Sequence, residues 1–346
     1  ASPMIDGTAQ PIQLKLVRFD DESFDLELEH SEYAVQLRRR ADGMAFCVPK
    51  HKIVYIGTGE LDASDHLKPI GILNRLVSAG SAVRFGTQLI ANSTAEELAE
   101  TLVSLTKIQY SRDKHAWLLD NSSIQFEPDG QSVHCVIDGT IVDLKWAKEF
   151  ESPKAFDSWP EMSRRDLQRA ELEKQLARGL RRTLEILAPS ALLTAPSHRA
   201  KRLEHGELRW VDGQRVALLN GSPEEIGHAH GKLLKQEAVR CIDSVMYAFG
   251  TAQTIVTGRW FREDLANAYA KLSPHIPERH KRETRALAAS LELNPDLIEA
   301  LNVFPELFHC SGFALFGKAT EGGKLYHGRV LDYMTTIGLQ DAATTF

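Results

Sequence analysis

The sequence predicts an α+β protein, and three observations carry that expectation. Residues 12–56 alternate apolar and polar with a period of two, in the runs IQLKLVRF, FDLELE, YAVQLR, MAFCV and KIVYIG. Such runs, broken by acidic and glycine clusters, describe half-buried antiparallel strands. Helical spacing follows from Ser163 to Pro189 and, after a hairpin in GELRWV and QRVALL, in a run of helices from Ser222 to about Asn302. The chain then returns to strand-like runs on either side of a glycine-rich turn, within PELFHCSGFALFGKATEGGKLYHGRVLDY, Pro305 to Tyr333. Strands, then helices, then strands suit layered α+β packing rather than an alternating parallel sheet.

Taken in order, the first block of strands is followed by a helix expected near Leu67–Ala79. A second begins at Ser93, where Ser93 and Glu96 form a capping box ahead of Leu98, Leu102 and Leu105. Strands resume in HAWLL, SIQF, SVHCVI and GTIVDL, with Asp129-Gly130 and Asp138-Gly139 as turn signals. Residues 1–148 are thus expected to form an α+β domain whose function is not readable from its residues. His51, His66, His115 and His134 share no ligand spacing. Glu149–Pro160 reads as a linker, and residues 149–205 are assigned to that linker and a long helix. Ser163 is expected to cap the helix with Asp166 at the third position, and Pro189 to stop it. Arg178–Ala200 loosely resembles a signal-peptide layout, but Glu185 interrupts it and the position is internal, so it reads as a helix end and linker.

The second region, 206–346, opens with GELRWV and QRVALL around Asp212-Gly213, a strong hairpin signal. Ser222, Pro223 and Glu225 then spell a helix start. Gly227 and Gly231 lie four apart on one helical face, which admits another backbone closely. His228 and His230 are two apart and face different ways, and no HExxH motif is present, so no metal is expected. Helices follow at Trp260–Leu272, Glu278–Leu291 and from Asn294-Pro295-Asp296 to about Asn302.

Composition bounds the function. The 346 residues suit about two domains, and 43% hydrophobic with 25% charged residues is ordinary globular usage. A net charge of −6 and the lack of a basic stripe interleaved with aromatics argue against a nucleic-acid partner. No apolar run is long enough for an integral membrane segment. Cys47, Cys135, Cys241 and Cys310 are scattered, with no CxxC pair. The start, ASPMIDGTAQ, lacks both an initiator Met and a signal pattern and reads as processed or truncated, leaving the compartment open.

Cys310 precedes a small polar residue and a glycine at the start of one strand, and Arg329 and Asp332 come at the end of the other. On residues alone this is either a nucleophile with neighbouring charges or a hairpin with a small buried cysteine and an ordinary ion pair. GSPEEIGHAHG (Gly221 to Gly231), HCSGFALFG (His309 to Gly317) and YHGRVLDY (Tyr326 to Tyr333), in that order, resemble the penicillin acyltransferase-like group of autoproteolytic acyltransferases and hydrolases. The resemblance covers about residue 200 onward. It implies an N-terminal nucleophile hydrolase with an αββα sandwich, cut between His309 and Cys310. It further implies an amide or acyl small-molecule substrate, no cofactor, Cys310 as nucleophile, Asp332 orienting its freed α-amino group, and Arg329 near the thiolate. Val330 stands where the family often has Asn, and Glu224 where an aromatic is common. Residues 311–346 are too few for two sheets, so the chain is expected to be a fragment lacking the oxyanion hole. The expected activity is cleavage of a linear amide bond through a thioester. The alternatives are a non-catalytic binding or scaffold protein, or an ester or lipid acyl hydrolase as in related phospholipase B-like proteins.

Overall fold

The computed structural model describes residues 4–5, 8–9, 13–20, 22–61, 67, 109–113, 116–119, 122–128, 131–137, 140–145, 152–187, 200–307, 311–330 and 335–346, and among these the protein is mixed α+β. The expected helices at Leu67–Ala79 and from Ser93 lie outside the described residues, apart from Leu67 itself.

A short pair, β1 (Met4–Ile5) and β2 (Thr8–Ala9), precedes β3 (Gln13–Arg18), β4 (Phe24–Glu29), β5 (Ala34–Arg39), β6 (Gly43–Val48) and β7 (Ile53–Thr58). The last five form an antiparallel meander. One face carries Phe24, Val35, Leu37, Phe46, Val48 and Tyr55, and the other Ala45, Cys47, Val54 and Ile56, so the central strands are buried on both sides. That is why β6 reads as a continuous apolar run, GMAFCV, rather than an alternation. A second meander, β8 (Gln109–Ser111), β9 (Ala116–Leu119), β10 (Ser122–Phe126), β11 (Ser132–Ile137) and β12 (Thr140–Lys145), is antiparallel throughout.

One expectation is overturned here. Ser163–Gln168 is not a helix start but a strand, β13, paired parallel to β7 from Ser163↔Ile53 to Gln168↔Thr58. The Ser163 amide donates to the Lys52 carbonyl at 2.7 Å, and Asp166 pairs with Arg164 on the exposed face instead of turning back to a cap. Arg165 and Leu167 are the half-buried positions, the period-two pattern of an edge strand. The helix proper, α1, is Arg169–Leu187. Within the expected linker, Phe156 is buried on the outer sheet face, where its ring occupies the space over Gly43, and Trp159 stacks on Arg38 with the guanidinium 3.9 Å from the ring centre.

The second half begins with β14 (Lys201–Leu203), β15 (Gly206–Val211) and β16 (Gln214–Leu219), a three-stranded antiparallel sheet. Asp212 and Gly213 both have positive φ (50° and 78°), as a two-residue hairpin turn of this hand requires. Helix α2 (Pro223–Leu233) starts with the expected capping box. The Glu225 amide donates to Ser222 Oγ, and the Ser222 amide donates to the Glu225 carboxylate at 2.7 Å. The helical run breaks at Leu234 (φ −118°), resumes as α3 (Lys235–Ile242), passes through a π-helical stretch at Asp243–Phe249, and continues as α4 (Gly250–Thr257). Helices α5 (Phe261–Leu272), α6 (Glu278–Leu291) and α7 (Pro295–Leu301) match the expected spans. As the spacing predicts, Gly227 and Gly231 let α6 approach: a Cβ on either would collide with Glu283 or Ser290. Among the described residues no helix is long and apolar enough to cross a membrane.

Helix α1 joins the halves. Leu172, Leu176 and Ala177 enter the core of the first sheet together with Trp260. On another side Gln175 donates to the Met246 and Tyr247 carbonyls (2.8 and 3.2 Å), and Gly179 lies so close that a Cβ there would sit 2.7 Å from the Tyr247 carbonyl oxygen. Two effects oppose each other at Gly179. Alanine favours an isolated helix by about 1 kcal/mol, whereas overpacking a tight interface costs about 1–3 kcal/mol. The clash is with backbone, which cannot rotate away, so Gly179→Ala is expected to lower stability by about 1–2 kcal/mol in urea unfolding. A stabilised variant would mean that α1 and the π-helical stretch are not in this contact.

Candidate functional site

The approach to Cys310 is built from the helical core. Val303 and Phe304 are buried, and Phe304 meets Phe249 and Phe261 edge-on, with ring centres 5.5 and 6.4 Å apart. A 3₁₀ turn at Phe304–Leu307 ends the helical run. After the hairpin, Ile337 and Leu339 return to the same core. The segment carrying the candidate site is therefore tied down on both sides by one hydrophobic cluster.

Between these anchors the expected hairpin is present. Strand β17 (Ser311–Gly317) pairs antiparallel with β18 (Gly323–Val330), in the register Ser311↔Val330, Gly312↔Arg329, Phe313↔Gly328, Ala314↔His327 and Leu315↔Tyr326. The strand starts at the residue after Cys310, and Arg329 takes the ladder position opposite Gly312. His309, Cys310 and Asp332 lie outside the described residues.

The ribbon has an unusual surface. The Phe313 ring lies over Gly328, and the pleat puts Leu315 and Tyr326 on that same face. Leu325, next to Tyr326 in the strand, belongs to the opposite face. Phe313, Leu315, Phe316, Leu325 and Tyr326 are 45–69% exposed, and among the described residues no third strand pairs with the ribbon. A two-stranded ribbon is marginal by itself in water. Large apolar side chains on both faces are the pattern of a sheet covered on both sides.

Cys47 and Cys241 are free thiols elsewhere in the fold. Cys47 is wholly buried in β6, and burial pushes its thiol up to about 11. Burial also raises the Cys241 thiol, with opposing smaller effects from Arg182 and Glu237. The Cys47 environment disfavours a thiolate, the opposite of what a nucleophile needs. Among the described residues no group of three or more His, Cys, Asp or Glu side chains comes together to hold a metal ion. His228 is exposed and His230 half-buried, in line with their two-residue spacing.

Comparison with family models, with curated proteins and with solved structures finds no match to the chain.

The Cys47 environment has a direct consequence. With a pKa of about 11, about one Cys47 thiol in a thousand is ionised near pH 8. Peptide-mapped alkylation with iodoacetamide should therefore modify Cys47 at least about a hundredfold more slowly than an exposed thiol, until denaturant unfolds the sheet. Rapid labelling of folded protein at Cys47 would contradict the buried position.

Proposed function

We propose that the chain carries the nucleophile hairpin of an autoproteolytic cysteine N-terminal nucleophile hydrolase or acyltransferase, which cleaves a linear amide bond through a thioester. The observation that carries this reading is the ribbon. It begins one residue after Cys310, sets Arg329 across from Gly312, and has apolar side chains on both faces. In an αββα sandwich each sheet meets a helical layer on one face and a second sheet on the other, so this surface pattern suits a strand pair of that sandwich.

Activation would begin when Cys310 Sγ attacks the carbonyl carbon of His309. The bond from that carbon to the Cys310 nitrogen breaks as the new carbon–sulfur bond forms, and the nitrogen takes up the thiol proton. Water then hydrolyses the thioester, releasing the His309 carboxylate, the thiol and a free α-amino group on Cys310. That amine has an ordinary pKa of about 7.7–8.0, so near neutral pH it serves as base for its own thiol. The mature thiolate would attack the substrate amide, expel the amine, and pass the acyl group to water or another amine. Asp332 is assigned to orient the α-amino group. Arg329 is assigned to the thiolate, where a cation lowers the thiol pKa.

Mass spectrometry of the complete protein tests this. Wild type should separate into two chains, the smaller beginning at Cys310, while Cys310→Ala should remain a single chain. The same cleavage in both would end the proposal. In processed protein, iodoacetamide should modify Cys310 at least about tenfold faster than Cys47 or Cys241. An inert Cys310 would favour a non-catalytic binding role.

A further inference from the structure

Helices α2, α3, α6 and α7 leave between them a groove of about 320 Å³ that shares no residue with the Cys310 hairpin. Its walls are Leu234, Ile242, Leu287, Leu291, Ile298 and Leu301. His230, Cys241, Asn302 and Thr344 also line it, the Asn302 amide donating to Thr284 Oγ1 and the Thr344 hydroxyl to the Ala342 carbonyl, each at 3.0 Å. Phe346 flanks the groove, its ring edge-on to the His230 imidazole with centres 5.0 Å apart. The segment bearing Phe346 is held by the Thr345 carbonyl, which accepts from the Ala217 amide at 2.8 Å, and by the Thr345 amide, which donates to the Arg215 carbonyl at 3.0 Å.

We propose that this groove binds one small uncharged amphiphile, an aliphatic or single-ring body with one hydroxyl or amide head beside His230. The size and lining set the body. Taking about 30 Å³ per water-sized group, the space holds roughly ten heavy atoms. Mostly apolar walls with a few convergent polar groups are what small-molecule sites share.

The charges set the head. Among the described residues the His230 ring has no hydrogen-bond partner, and burial lowers its pKa, so near neutral pH it offers one donor and one acceptor. Glu237 is the charged side chain on the groove wall, and it is already paired with Arg215 at 3.3 Å. The other Arg215 terminal nitrogen is directed to the Asp341 and Ala343 carbonyls. A carboxylate would lie near Glu237, whose partner Arg215 is already engaged, and an ammonium would compete with Arg215 for Glu237. A neutral head carries neither cost.

Calorimetry and alkylation on the full chain near pH 7.5 decide the matter, with 1-octanol, octanoate and octylamine as probes. 1-Octanol should bind saturably, one per chain, and slow alkylation of Cys241 at least about fivefold, because Cys241 is a residue of the groove wall. Octanoate and octylamine should each bind at least about tenfold more weakly. His230→Leu should weaken 1-octanol by about five- to tenfold, the worth of one hydrogen bond. Ala238→Phe and Ala342→Phe should each remove the protection. Ala342 lies on a half-exposed turn, so its variant reports even if the Ala238 variant does not fold. Absence of Cys241 protection in wild type, or protection that survives both filling variants, overturns the site. Octanoate or octylamine binding as tightly as 1-octanol overturns the neutral head.

Discussion

The packing of α1 against the π-helical stretch at Asp243–Phe249 ties the second half of the chain to the first. A π-helical segment widens the helix and shifts its backbone hydrogen-bond pattern. Here Gln175 supplies an amide nitrogen to the Met246 and Tyr247 carbonyls, and Gly179 gives the Tyr247 carbonyl room. Around that contact the charges are matched. Arg178 lies 2.6 Å from Asp243 and covers the Tyr247 ring, Arg181 reaches the other Asp243 oxygen at 3.0 Å, and Arg182 donates to Ser244 Oγ at 2.9 Å. Asp243 is buried, and a buried carboxylate left unpaired costs several kcal/mol, so these arginines fix the rotation of α1 about its axis.

The same helix is fixed on its other side by a second buried ionic group. Glu173 is fully buried and accepts from Arg39 and Arg169, each at 3.0 Å, while its second oxygen accepts from the Leu67 amide at 3.1 Å. Arg169 also reaches the Ala41 and Arg40 carbonyls. Both clusters use long cations whose position depends on where their own strand or helix lies. Their value lies in register more than in stability, since apolar residues of similar size would serve a core as well. Tyr55 completes the joint by donating to the Gly258 carbonyl at 2.8 Å while its ring meets Trp260.

Local signals were legible in the sequence and distant ones were not. The Asp212-Gly213 turn, the Ser222 capping box, the Asn294 cap and the paired glycines of α2 each depend on a few neighbouring residues, and each is found where the residues put it. Ser163 failed because a serine followed three residues later by an acid is also what an edge strand with an Arg164–Asp166 pair looks like. What decided between them was β7, more than a hundred residues earlier, offering a free edge. The π-helical stretch is of the same kind, since the groups it meets, Gln175 and Gly179, lie in α1, more than sixty residues earlier. The candidate site was legible as a hairpin, down to the strands on either side of the turn. The exposure of its apolar faces was not, because a pattern of Phe, Leu and Tyr says that a surface needs covering without saying what covers it.

That exposure bears on how a cut at His309–Cys310 would affect the molecule. Five large apolar side chains stand in water on the ribbon, and burying each is worth about 1.5–3 kcal/mol, so the ribbon adds little to stability by itself. The anchors on its two sides are another matter. Val303 and Phe304 precede the proposed cut, Ile337 and Leu339 follow it, and all four occupy one cluster. Cleavage would therefore divide the chain without dividing the core. The two pieces would stay associated through that cluster. A nucleophile released by autoproteolysis needs that property, because its amine must remain where the peptide bond was. Phe304, packed against Phe249 and Phe261, is the anchor of that cluster nearest before the proposed cut.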